Sequence, residues 1–142
     1  MAYSTIDNLL ALLPAAALIK LSNDQAGAIA VDMTTIAAAI AQADTVIDGY
    51  VGVQRQVPLD PVPGLIRTIS ANLAIFNLYR RRNQVPEIWE SQYKADIGVL
   101  LKISTGSISF GSDVTPAAPP QQALAQSSGK VLSGPGGLLE GF

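Results

Sequence analysis

Two carboxylates one helical turn apart, Asp44 and Asp48, and three consecutive arginines, Arg80, Arg81 and Arg82, have the best claim to chemistry in this chain. Paired acids share acid–base work when burial drives their pKa values apart. Such work also needs a nucleophile or an electrophile nearby, and the residues around this pair are mostly alanine. The expectation is therefore a solvated helix face, or pairing with Arg55 or Arg67. Arginines in the last turn of a helix interact favourably with its dipole, by about 0.3–1 kcal/mol each when exposed. Successive helical residues point about 100° apart, so the three do not face one phosphate track. Helix-end stabilisation or subunit salt bridges are expected of them, with DNA contact as the rival.

Other chemistries fall away by residue type. The 142 residues include no histidine and no cysteine. That removes the usual general base, the usual metal ligand, the Ser-His-Asp arrangement and every thiolate site. Gly134-Pro135-Gly136-Gly137 is glycine-rich but lacks the Lys-Ser/Thr of a phosphate loop. Asn23-Asp24-Gln25-Ala26-Gly27 offers too few oxygens for calcium, with no glutamate to close the loop. No catalytic residue, metal or cofactor is expected, and an enzyme working through Asp44 and Asp48 is the weakest reading.

Composition points to association. Charged residues make up 14% of the chain, against roughly 25% in ordinary soluble proteins. With 49% hydrophobic residues, more apolar surface is present than one small core easily hides, and burial against other copies or partners is one outlet. The net charge of −2 gives no general affinity for nucleic acid. The apolar run Leu9 to Leu21 is short and broken by Pro14 and Lys20, so no membrane span is expected. Without a basic leader the chain reads as cytosolic at synthesis.

The elements that would position these groups read as helices. Ser4 with Asp7 three residues on resembles a capping box before a short helix to Leu13. Pro14 suits the first turn of a second, Ala15 to Leu21. After a loop from Ser22 to Asp32, Asp32 caps a long helix from Met33 to about Val53. Its stripe is Met33, Ile36, Ile40, Ala43, Ile47 and Tyr50. Pro58, Pro61 and Pro63 make an extended connector. The helix Gly64 to Arg82 is apolar nearly all round and so central. Pro86 opens a last helix to about Ser104, with Trp89, Tyr93, Ile97 and Leu100 inward, and Gly106 ends it. Ser107 to Phe110 alternates like a short strand or arm.

The expected fold is a small all-α bundle of about four to five helices over residues 1–110, with an extended C-terminal arm over 111–142. The arm is rich in Pro, Gly, Ser, Ala and Gln yet carries Leu138, Leu139 and Phe142. These three are expected to be buried on a partner.

Several segments together resemble small neck proteins of Mu-like tailed phages. They are Tyr3-Ser4-Thr5-Ile6-Asp7-Asn8-Leu9-Leu10, Ala43-Asp44-Thr45-Val46-Ile47-Asp48-Gly49-Tyr50, Val57-Pro58-Leu59 and Val62-Pro63-Gly64-Leu65-Ile66. Leu78-Tyr79-Arg80-Arg81-Arg82 with Val85-Pro86, Lys102-Ile103-Ser104-Thr105-Gly106 and Ile108-Ser109-Phe110-Gly111 complete the pattern. The resemblance covers about residues 2–111. It implies a head–tail connector or adaptor in the virion neck, assembled in the host cytoplasm as a homo-oligomeric ring, usually of about twelve copies. The implied partners are the portal protein, a tail terminator or stopper protein, and DNA passing through the channel without sequence specificity. A tail-completion or stopper protein, or a DNA-binding accessory protein of the neck, is the alternative. Asp44 and Asp48 facing the channel would repel passing DNA; the opposite edge of the ring is equally open to them.

Overall fold

The computed structural model describes residues 2–109. Among them are five helices and no strand: α1 Ile6–Leu10, α2 Ala15–Ser22, α3 Met33–Val51, α4 Gly64–Arg81 and α5 Glu87–Ser104. The fold is an all-α bundle. The arm expected over 111–142, with Leu138, Leu139 and Phe142, lies outside the described residues.

Local chemistry sets the helix ends. The Asp32 carboxylate accepts from the Thr34 and Thr35 amides at 3.0 and 3.3 Å, filling two orphan donors at the start of α3. Pro63 and Pro86 stand immediately before α4 and α5, where a missing N–H costs nothing. The N-cap of α1 is Thr5, not Ser4: Asn8 Oδ1 accepts from the Thr5 amide at 2.8 Å. Ser4 is instead 1% exposed and used in the core.

The end of α5 corrects another expectation. Ser107 N and Gly106 N donate to the carbonyls of Lys102 and Ile103, at 2.8 and 3.0 Å, and Gly106 has φ +83°. This is a Schellman turn, which needs a left-handed residue that glycine supplies cheaply. The alternation from Ser107 therefore marks a helix cap, with Ile108 folded back against the core, rather than a strand.

α4 contacts every other helix of the bundle. Ile66, Ile69, Ala71, Leu73, Ala74, Ile75, Phe76 and Leu78 are all buried, as the all-round apolar pattern requires. Against it lie Ile36, Ile40, Ala43 and Ile47 of α3. Each large aliphatic side chain buried here contributes about 1.5–3 kcal/mol, while Ala43 and Ala74, both fully buried, let the two helices approach. Met33 departs from the expected stripe and is 54% exposed. On the other side Tyr93 stacks on Phe76, with centroids 4.1 Å apart, and Tyr79 leans on Trp89 at 6.5 Å. The aromatics of α4 and α5 are packing groups.

Candidate functional site

Asp44 and Asp48 are half-buried and hold the N-terminal segment onto α3. Asp44 accepts from the Tyr3 amide at 2.9 Å and from Ser70 Oγ at 2.6 Å. The Ser70 proton being committed, Ser4 Oγ donates to Ser70 Oγ at 2.7 Å. The Tyr3 hydroxyl donates to Asp48 and accepts from the Leu59 amide. One tyrosine thus ties α3 to the proline connector, and one serine ties α3 to α4. A solvated face, or pairing with Arg55 or Arg67, was the sequence expectation for the two acids. In place of a fully solvated face, both acids are half-buried in long-range contacts with Tyr3 and Ser70.

Electrostatics follow from that burial. Desolvation raises the Asp44 carboxyl above its ordinary pKa, opposed by the bonds from Ser70 and Tyr3 and reinforced by the nearby Asp48 charge. Burial, then the bond to Asp48, pushes the Tyr3 phenol far up. A carboxylate pair supplied with phenol, amide and hydroxyl donors is built as a clamp. The sequence reading missed Tyr3 and Ser70. Ser70 standing between Ile69 and Ala71 in the central helix was the one local signal.

The three arginines divide. Arg81 Nη1 donates to the Leu21 carbonyl at 2.8 Å, and Arg82 Nη2 to the Lys20 and Asn23 carbonyls at 2.7 and 3.1 Å. Both also pair with Asp24, at 3.1 and 2.8 Å. The bond from Arg81 holds that carboxylate below its ordinary range. The last carbonyls of a helix lack intrahelical partners, so these side chains cap α2 rather than their own helix. Arg80 lies over the Phe76 ring, 5.7 Å from its centroid.

A second buried acid was not foreseen. Asp96 is 5% exposed. Its Oδ1 accepts from Gln92 at 3.0 Å, while Oδ2 has no hydrogen-bond partner among the described residues. Burial raises its pKa, opposed by the side chains of Gln92 and Asn72.

An open groove of about 480 Å³ runs between the N-terminal segment and α3. Ile6, Met33, Ile36, Ala37, Ile40 and Ala41 line it, and Asp44, Thr45 and Asp48 are also in its lining. Among the described residues no group of three or more acidic side chains is placed to hold a metal ion. No described helix is long and apolar enough to cross a membrane.

A family model, bacteriophage Mu Gp36, matches residues 3–128. The chain belongs to the bacteriophage Mu Gp36 family. It is therefore a Mu-like phage protein. The family region contains the clamp, the arginine knot and the groove. It also runs further than the resemblance, which stopped near Gly111; Leu138, Leu139 and Phe142 lie beyond it. No curated protein matches the chain.

Proposed function

We propose that this Gp36-family protein is a structural subunit of the phage neck, a head–tail connector or adaptor. Copies pack side by side into a closed ring of about twelve, between the capsid portal and the tail, around a channel through which DNA passes without sequence recognition. Its work is binding, with no catalysis, no cofactor and no membrane. The portal and a tail terminator or stopper are its partners on the two rims. Leu138, Leu139 and Phe142 anchor it to one of them.

The observation that carries this reading, given a phage family, is the apolar surface left over once the core is complete. Ile29 is 93% exposed, Ile88 73%, Val53 64% and Leu101 53%. They come from the loop between α2 and α3, the turn just past α3 and both ends of α5. A ring subunit needs several such surfaces, because each copy meets two neighbours and a protein on each rim. The rival, DNA binding through Arg80 to Arg82, draws less support, since Arg81 and Arg82 already serve the end of α2.

Native mass measurement of the full chain, alone and with purified portal, tests the proposal. A ring-sized species, on its own or seated on the portal, is expected. A monomer throughout, with no portal complex, would overturn it.

A further inference from the structure

We propose that the groove between the N-terminal segment and α3 is the seat of a segment of this chain itself, Lys130-Val131-Leu132. Val131 and Leu132 lie against Ala37 and Ala41, and the Lys130 ammonium sits at Asp44 and Asp48.

The groove asks for an unusual occupant. Most of its lining is apolar, with Met33 54% exposed along it. Ala37 and Ala41 are exposed and small, so an incoming backbone can approach the helix closely. Asp44 and Asp48, one helical turn apart, add two carboxylates to the same lining. The hydrogen-bond donors they already have are a phenol, an amide and a hydroxyl, all neutral; the N-terminal ammonium acts on Asp44 through its charge, and a lysine in the groove would add charge-assisted bonds to the two carboxylates. An apolar segment headed by a cation suits this surface.

Lys130 is the sole Lys or Arg between residues 110 and 142, and two branched apolar residues follow it directly. The other apolar cluster, Leu138 to Phe142, carries Glu140. It would bring like charge to Asp44 and Asp48, so charge complementarity selects between the two. Reach is sufficient. Gln54 Nε2 donates to the Ser104 carbonyl at 3.1 Å, so the end of α5 lies beside the residues just past α3. From Ser109 to Lys130 the chain can span up to about 70 Å, against about 28 Å for the whole of α3. The seat lies inside the Gp36 family region and the occupant just past its end at residue 128. The pairing rests on this chain's own residues, and does not depend on ring formation.

The chain has no cysteine, so paired substitutions in the full-length protein give a clean test. Ala41→Cys with Val131→Cys is compared, under mild oxidation, with Ile88→Cys with Val131→Cys, since Ile88 is 73% exposed and outside the groove. Both variants change exposed or arm positions, and matching circular dichroism establishes that they share the fold. Seating raises the local concentration of the segment, so the groove pair should cross-link at least about tenfold faster. Lys130→Glu should bring that rate down to the control's. A product of one-chain size is expected; a two-chain product alone would give the groove to a second copy and overturn the proposal. Equal rates for the two pairs, or a groove rate unchanged by Lys130→Glu, would overturn the proposal. So would faster capture when Leu139→Cys replaces Val131→Cys, which would give the groove to the other cluster.

Discussion

The Tyr3 hydroxyl has two tasks, donating a hydrogen bond to Asp48 and accepting one from the amide of Leu59, a residue with no exposure. Tyr3→Phe keeps the ring and leaves a buried donor unpaired, which costs about 1–3 kcal/mol. Urea unfolding should show that loss, and an unchanged midpoint would mean the hydroxyl is dispensable. Asp96 predicts a pH effect of opposite sense to the common one. Its folded pKa lies above the unfolded value because burial penalises the charge, so the folded state binds more protons across the interval between them. The contribution of Asp96 to stability is therefore greatest below the ordinary carboxylate pKa of 3.8 and is lost as pH rises through the raised value. Asp44 acts in the same direction. Asp96→Asn should flatten part of this decline in thermal unfolding, leaving the share owed to Asp44; an unaltered slope would contradict the assignment. The place of Asp96 was legible: Trp89, Tyr93, Asp96, Leu100 and Ile103 keep spacings of 4, 3, 4 and 3. Ile97, expected inward, also packs against the core, part-buried beside it. Tyr3 was not legible, because its partners lie 41, 45 and 56 positions away, and nothing local announces them.

At the scale of elements, the arginine knot joins the end of α4 to the end of α2. Bonds from a charged donor to a carbonyl contribute about 1.5–3 kcal/mol, whereas the pair with Asp24 is exposed and screened. Arg81→Ala should release amide-exchange protection in α2 while α3 and α4 keep theirs, and Asp24→Ala should change that protection far less. Equal effects from the two substitutions would show that the ion pair holds the knot. The three long helices were readable to within two residues of their ends, since Asp32, Pro63 and Pro86 mark their starts by chemistry that acts locally. The start of α1 was harder, as Ser4 and Thr5 are both competent caps. The clamp decides it by drawing Ser4 inward to Ser70, a tertiary effect with no trace in the spacing. Likewise the arginines were recognisable as a helix-end feature, but not as the cap of a different helix.

At the scale of the whole molecule, a completed core coexists with large apolar side chains on separate parts of the surface. The low charge fraction and the central, all-round apolar α4 anticipated both halves of that description. Composition could not say which surfaces remain, because that depends on how α3 and α5 turn their second faces once packed on α4. Met33 illustrates it: the helical period assigned it to the core, and the fold sets it in the groove. Family membership accounts for a phage protein, and the leftover surface is what makes a subunit of an assembly the best reading. A density map of the intact particle neck tests that most directly. A ring of this helical domain between portal and tail is expected, with Ile88, Val53 and Leu101 covered by neighbouring protein. A complete neck with no density for the domain, or particles that contain the chain elsewhere, would contradict it.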